Sequence, residues 1–354
     1  MSLIVFSHAN SFPASTYKVL FKSLRLRGFT VKAIDKFGHD PDYPVSNNWP
    51  HLVQHLADFA ALEVKRAAEP AYLVGHSLGG FLSLMAAARH PVLGGLPVAG
   101  VLLLDSPILG GWRAGALGMI KRTQLVGSVT PGKVSRNRRN SWPTKGAALE
   151  HFKNKKAFAR WDPQVLQDYI THGTHWVDGK CVLGFERDIE TAIYNTLPDN
   201  LERLVKRHPL KCPVAFIGGR QSSEMKQVGM AITEKLAKGR ISMLDGSHLF
   251  PMEKPLATAA AIEAALRDMT PAATVCLPER GGQFSYLGTD AGATLSRSSC
   301  DSRSGSPICA ATNSNSRACD ASCAAGLPPT VALPLCVLPT LSRVRTSASP
   351  SKPW

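Results

Sequence analysis

Short, continuously apolar runs alternate with longer amphipathic stretches in the first hundred residues of the chain. The apolar runs are typical of strands buried on both faces of a sheet, and they cover residues 3–7, 29–34, 71–74 and 98–104. The stretches between them carry apolar side chains at helical spacing, over residues 15–27, 50–67 and 81–90. This alternation predicts a doubly wound, mostly parallel α/β sheet.

Local signals predict where two of these helices begin and end. Gly28 ends the first helix, and Asn47 or Asn48 is expected to cap the second, with Pro50 in its first turn.

The alternating pattern stops after about residue 107 and resumes near residue 211. The stretch between, 108–210, contains helical pieces and no clear parallel strand, so we expect an inserted helical cap. The last part of the core, 211–270, is predicted to have strands at 214–217 and 240–244 and helices at 223–237 and 256–269. The core therefore has two parts, 1–107 and 211–270, with the cap between them.

Residues 271–354 differ in composition from the rest of the chain. They are rich in Ser, Ala, Thr, Pro and Cys and have few periodic apolar faces, so they read like sequence not selected for folding. We expect this tail to be disordered and to contribute nothing to function.

Composition narrows the class of protein. The 354 residues carry a net charge of +15, which can attract anionic small molecules, but the chain has no recognisable nucleic-acid-binding motif. It has no apolar run of about 20 residues and no leader-like N-terminus, so we expect a cytoplasmic protein without a membrane span.

The eight cysteines do not indicate a metal site or a disulfide framework. Only Cys181 and Cys212 precede residue 270, and none of the eight has the spacing of a zinc ligand set. We predict neither a metal nor any other cofactor.

The stretch Gly75-His-Ser-Leu-Gly79 is the strongest candidate for chemistry. It connects an apolar strand to a helix through a turn so tight that the positions two residues before and after the serine cannot carry bulk, and glycine occupies both. Ser77 would lie exposed at the end of the strand, and the backbone N–H of Leu78 would be available there to an oxyanion.

Two further signals are predicted at the carboxyl ends of strands, where open parallel sheets bind ligands. They are His8-Ala9-Asn10 and His248. With them, residues 1–270 resemble the α/β-hydrolase family. The matching motifs are His8-Ala-Asn10 at the oxyanion loop, Asp35-Lys-Phe-Gly-His39, the Ser77 turn, and His248-Leu-Phe-Pro-Met-Glu-Lys-Pro255.

The resemblance implies a role for each motif. Ser77 would be the nucleophile and His248 the base that takes its proton, because a neutral hydroxyl is a weak nucleophile. The backbone N–H groups of Leu78 and Asn10 would bind the oxyanion. The chain has Ala9 where the family has glycine, which narrows the conformations of that loop, and we expect His8 to order the loop and not to react.

The sequence leaves the carboxylate partner of His248 open between two residues. The family places the acid between nucleophile and histidine in chain order, either after the strand that follows the nucleophile or after the next one. These positions correspond to Asp105 and to Glu224, and we prefer Asp105.

The resemblance also concerns the edge of the sheet. Family members usually have one or two strands before the oxyanion-loop strand, whereas this chain begins at that strand. We therefore expect a short N-terminal edge, with residues 29–34 as an edge strand.

The predicted protein is a serine hydrolase with a helical cap, acting on a small-molecule carboxylic ester through an acyl-enzyme. The same residues could serve hydrolysis of a thioester, a lactone or a carbon–carbon bond, or acyl transfer. A non-catalytic binding protein on the same fold is the alternative of another class. Basic clusters at 133–139 and 153–156 could attract an anionic substrate.

Overall fold

A computed structural model of the chain describes residues 2–111 and 132–270. The strands are β1 (Ser2–Ser7), β2 (Phe29–Ala33), β3 (Ala71–His76), β4 (Val92–Leu93), β5 (Leu96–Pro97), β6 (Gly100–Leu104), β7 (Ser141–Trp142), β8 (Thr174–Val177), β9 (Lys180–Leu183), β10 (Val214–Gly219) and β11 (Ile241–Leu244). The helices are a 3₁₀ turn (Ala14–Tyr17), α1 (Lys18–Leu26), α2 (Pro50–Ala67), α3 (Leu78–Arg89), α4 (Gly132–Asn137), α5 (Lys145–Lys153), α6 (Pro163–His172), α7 (Arg187–Asn195), α8 (Leu201–Arg207), α9 (Ser223–Val228), α10 (Ala231–Ala237), α11 (Phe250–Glu253) and α12 (Pro255–Met269).

Six strands form one parallel sheet in the order β11-β10-β6-β3-β1-β2. The predicted fold class is confirmed, including β2 as an edge strand. The inner strands β3, β6 and β10 are buried at every position because helices cover both faces of the sheet, whereas the edge strand β2 includes the exposed Lys32. In β1, Ile4 and Phe6 pack with α1 and α12, whereas Leu3 and Val5 pack with α2 and α3. The carboxyl ends of all six strands lie at one edge of the sheet.

Three local features differ from the sequence prediction. The helix predicted over 223–237 is two helices, because Gly229 interrupts it with φ of 80°. A short hairpin, β4–β5, precedes β6. Trp49, not an asparagine, occupies the N-cap of α2, and the Asn48 side chain instead accepts a hydrogen bond from the Asp199 backbone N–H.

The described part of the inserted segment is not purely helical. It contains α4 to α8 and a three-stranded antiparallel sheet in the order β7-β9-β8. Asp178 and Gly179 form the turn between β8 and β9, both with positive φ. An Asp-Gly pair is a strong signal for a hairpin turn between antiparallel strands, and the prediction of a helical cap did not include this hairpin.

The tail, 271–354, and residues 112–131 of the predicted cap lie outside the described residues, so the expectation of a disordered tail stays a prediction. Among residues 2–111 and 132–270, no helix has the length and apolar character needed to cross a membrane.

Candidate active site

The candidate residues meet where the strands end. Ser77 follows β3 directly, Asp105 follows β6, and Glu224 lies in the first turn of α9 after β10. His248 lies in the loop after β11, and His8 to Asn10 follow β1. Five separate crossovers of the chain thus bring these residues to one edge of the sheet.

Ser77 adopts a backbone conformation that is unusual for any residue other than glycine, with φ of 54° and ψ of −115°. The turn around it is so close that a Cβ added at Gly75 would lie 2.1 Å from the carbonyl carbon of Gly79. One added at Gly79 would lie 2.0 Å from the carbonyl oxygen of Ser7. Both contacts are with backbone, which explains the glycines on either side of the serine.

The Ser77, His248 and Asp105 side chains form a continuous hydrogen-bonded chain. Ser77 Oγ lies 3.0 Å from His248 Nε2, and His248 Nδ1 lies 2.7 Å from Asp105 Oδ2. Since a carboxylate only accepts hydrogen bonds, His248 donates its Nδ1–H to Asp105. Its Nε2 is then the acceptor, in the state that can take the Ser77 proton.

Asp105 is held in one orientation by several donors. It is 1% exposed, with Oδ1 accepting the Gly219 backbone N–H at 2.8 Å and Oδ2 accepting the Ser222 hydroxyl at 2.5 Å. Burial by itself would raise the pKa of Asp105, but the hydrogen bonds from His248, Ser222 and Gly219 outweigh it and lower that pKa. Asp105 is therefore a fixed, ionised partner for His248.

Glu224, the other predicted acid, lies in a second position around the same histidine. Its Oε2 is 4.0 Å from His248 Nδ1, beyond hydrogen-bonding distance, and it accepts the Ser223 hydroxyl at 2.9 Å. It is 6% exposed. The structure brings both carboxylates to His248, with only Asp105 in contact.

The loop after β1 is held from two sides. His8 donates Nδ1–H to the Ala9 carbonyl and accepts the Phe37 backbone N–H at Nε2, at 2.8 and 2.9 Å. Burial lowers the pKa of His8 to about 4, so it is neutral and orders the loop. Asn10 donates its side-chain amide to the Glu190 carbonyl. Leu78 begins α3, so its backbone N–H is among those a helix leaves without an intrahelical partner.

A second hydrogen-bonded chain, which the sequence did not reveal, runs behind the site. The Ala9 backbone N–H donates to the Tyr17 hydroxyl at 3.1 Å, and that hydroxyl donates to His76 Nδ1 at 2.7 Å. His76 Nε2–H donates to the His248 carbonyl at 2.9 Å. Burial lowers the pKa of His76 to about 3, which keeps it in this neutral form. In the sequence, Tyr17 is only one member of an apolar helical face.

The inserted segment contributes a buried ion pair to the loop after β1. Arg138, just after α4, lies 2.5 Å from Glu190 on α7, and Glu190 also accepts the Ser11 hydroxyl. Burial raises the pKa of Glu190, with Arg138 opposing it. Arg138, one member of the basic cluster at 133–139, is thus paired inside the protein and is not a free surface cation.

The four tryptophans of the predicted cap have different environments. Trp142 and Trp161 are buried, Trp176 is largely exposed, and Trp112 lies outside the described residues.

The site also contains a cluster of potential metal ligands, formed by Asp105, Glu224 and His248. One side-chain oxygen or nitrogen of each residue lies within 4.8 Å of the other two, and residues 2–111 and 132–270 contain no other such cluster of three. His248 Nδ1 carries the proton that it donates to Asp105, so a cation there would have to displace that hydrogen bond. The prediction of no metal stays a prediction.

Residues 4–261, which include most of β1, all of β2 to β11 and every residue of the candidate site, match the alpha/beta hydrolase family. The chain belongs to the alpha/beta hydrolase family. Membership of this family supports a hydrolase that acts on a small molecule. No curated protein sequence matches this alpha/beta hydrolase.

Solved structures with the same fold include several hydrolases. The crystal structure of an E-2-(acetamidomethylene)succinate hydrolase is 22% identical, with a TM-score of 0.56 over 75% of this alpha/beta hydrolase and 91% of that chain. A peroxisomal alpha-beta-hydrolase from Saccharomyces cerevisiae is 15% identical, with a TM-score of 0.53 over 75% and 76%. A thioesterase domain from the curacin biosynthetic pathway is 16% identical, with a TM-score of 0.52 over 74% and 90%. At these identities the likeness concerns the fold.

Proposed function

We propose that this protein is a serine hydrolase that cleaves carboxylic esters by an acyl-enzyme mechanism. The observation that carries the proposal is the continuous chain from Ser77 Oγ through His248 to Asp105, with distances of 3.0 and 2.7 Å. A serine hydroxyl beside an acceptor imidazole nitrogen, with the other nitrogen bound to a carboxylate, is the arrangement that nucleophilic attack by serine requires.

In the first step Ser77 attacks the ester carbonyl carbon as His248 Nε2 takes its proton. A tetrahedral oxyanion forms, His248 returns the proton to the departing alcohol, and the acyl group remains on Ser77. In the second step His248 takes a proton from water, and the resulting hydroxide attacks the acyl carbon. The bond from that carbon to Ser77 Oγ then breaks, His248 returns the proton to Ser77 Oγ, and the carboxylic acid leaves. Asp105 holds the imidazole in the reactive tautomer throughout.

The backbone N–H groups of Leu78 and Asn10 are our assignment for the oxyanion site. Leu78 is the first residue of α3, where the helix dipole also favours negative charge. Asn10 lies in a loop whose side-chain bonds to Ser11 and Glu190 restrict its movement. Donors fixed in this way stabilise the transition state without reorganisation.

A fluorophosphonate probe tests the nucleophile directly. We expect it to label the wild-type protein on Ser77, and p-nitrophenyl esters to be hydrolysed. Ser77→Ala should abolish labelling and lower kcat by a factor on the order of 10⁴ or more.

Ser83→Ala is the matched control, because Ser83 is a buried serine on α3, the helix that follows Ser77, and its hydroxyl has no partner in the described part of the chain. It should leave labelling unchanged. An unlabelled wild type, or labelling that survives Ser77→Ala, would rule out the proposal. A parallel assay with thioester substrates measures whether an ester is the preferred acyl donor.

A further inference from the structure

Two buried carboxylates surround His248, although one suffices for the proposed reaction. Asp105 accepts the His248 Nδ1–H at 2.7 Å, and Glu224 Oε2 lies 4.0 Å from the same nitrogen. Both side chains are almost entirely removed from solvent. A charge so placed is weakly screened, so Glu224 acts on His248 even without a hydrogen bond.

We propose that Glu224 is a second positioning acid, which stabilises the protonated state of His248 in the wild-type enzyme and takes over the hydrogen bond to Nδ1 when the Asp105 carboxylate is removed. The inference rests on the proposed function, because it assumes that His248 is the general base.

The serines at the start of α9 form hydrogen bonds with both carboxylates. The Ser222 hydroxyl donates to Asp105 at 2.5 Å and also lies 3.2 Å from Glu224 Oε2. Ser223 donates to that same oxygen at 2.9 Å. Without the Asp105 carboxylate, Ser222 is free to donate to Glu224, and a movement of about 1 Å brings Oε2 within hydrogen-bonding distance of His248 Nδ1.

The other ionisable groups facing His248 do not supply this negative charge. The His76 ring centroid lies 5.2 Å from that of His248, and His76 is neutral. Glu253 accepts the Ser247 hydroxyl beneath the loop and is paired with Arg160 at 3.2 Å. Asp245 is paired with Lys254 at 2.6 Å on the exposed side.

Two substitutions of Asp105 should have different effects. In Asp105→Asn, the amide oxygen still accepts the hydrogen bond from the Gly219 N–H, so the amide NH₂ faces His248 Nδ1. Nδ1 must then accept a hydrogen bond, which places the imidazole proton on Nε2, the nitrogen that faces Ser77. We expect a loss of about 10⁴ in kcat. Asp105→Ala leaves space for Glu224, and we expect it to retain about 100-fold more activity than Asp105→Asn. Asp105→Ala combined with Glu224→Gln should fall to the level of Asp105→Asn.

The single variant Glu224→Gln tests the role in the wild-type enzyme. Removing a negative charge 4.0 Å from His248 should move the acid limb of the kcat/KM pH profile about one unit lower. Asp245→Asn is the matched control, because it removes an exposed, paired carboxylate three residues from His248, and it should leave that limb in place. A purely structural role for Glu224 would change the amount of folded enzyme, not the position of the limb.

The outcomes separate this inference from the proposed function. If Ser77→Ala keeps its activity, the proposed function fails. If activity depends on Ser77, but Glu224→Gln leaves the acid limb in place and Asp105→Ala is no more active than the double variant, only the role of Glu224 is refuted. Because Glu224→Gln is nearly isosteric, its pH profile decides even if Asp105→Ala does not fold.

Discussion

Tyr17→Phe removes a single oxygen atom from the centre of the second hydrogen-bonded chain. The hydroxyl accepts the Ala9 N–H and donates to His76 Nδ1, and through His76 it is linked to the His248 carbonyl. Tyr17 is 1% exposed, and its ring packs against Phe6 at 4.8 Å between ring centroids. Phenylalanine keeps that packing, so the substitution isolates the hydroxyl.

The structure gives the size of the expected effect. Two buried groups lose their partner, the Ala9 N–H and the His76 ring nitrogen, and each unsatisfied buried group costs about 1–3 kcal/mol. We therefore expect the free energy of unfolding to fall by about 2–6 kcal/mol. Ala9 adjoins Asn10 and His76 positions the His248 backbone, so we also expect kcat for a p-nitrophenyl ester to fall by about tenfold, with a smaller change in KM.

Urea unfolding and steady-state kinetics measure the two effects on the same preparation. Tyr43→Phe is the matched control, since the Tyr43 hydroxyl bonds Asp58 at the surface, and we expect a change within about 0.5 kcal/mol. If Tyr17→Phe unfolds at the wild-type urea concentration and retains the wild-type kcat, the chain from Ala9 to His248 has no energetic role and the reasoning is wrong.

Three further predictions concern stability. Between about pH 3 and 6.5 the unfolded chain binds a proton at His76, whereas the folded protein, in which burial lowers the His76 pKa to about 3, does not, so the free energy of unfolding falls by about 1.4 kcal/mol for each unit that the pH drops below about 6.5. His76→Gln should flatten this slope in urea titrations between pH 4 and 6.5, and an unchanged slope would contradict the assignment. Gly79→Ala should abolish folding or Ser77 labelling because its Cβ meets backbone at 2.0 Å, whereas Gly146→Ala, whose nearest neighbour is 3.7 Å away, should stabilise by up to about 1 kcal/mol in thermal unfolding. Glu190→Gln should lower the free energy of unfolding by about 3 kcal/mol, because it leaves the buried Arg138 guanidinium without its counter-charge. Asp188→Asn removes an exposed carboxylate on the same helix and should change that free energy by less than about 0.5 kcal/mol. Equal effects of the two substitutions would show that the ion pair between Arg138 and Glu190 does not stabilise the fold.

The sequence alone predicted the features that depend on residues close to one another along the chain. A strand buried on both faces is a continuous apolar run, and a serine turn that approaches the next strand must have glycine beside it, so the sheet and the Ser77 turn could be read from local pattern. The hairpin turn at Asp178-Gly179 is an equally local signal, because the Asp-Gly pair itself favours a two-residue turn between antiparallel strands.

Local pattern could not choose between Asp105 and Glu224, because both follow strands that end beside His248. Their distances from that histidine, 2.7 and 4.0 Å, depend on the strand order β10-β6-β3 and on which hydroxyl each carboxylate binds. Asp105 and His248 lie 143 positions apart, and a contact over such a separation leaves no periodic pattern in the sequence. The sequence by itself therefore determined the fold and named Ser77 and His248 as candidates, whereas only the tertiary structure set which carboxylate contacts the imidazole and linked Tyr17 and His76 to its backbone.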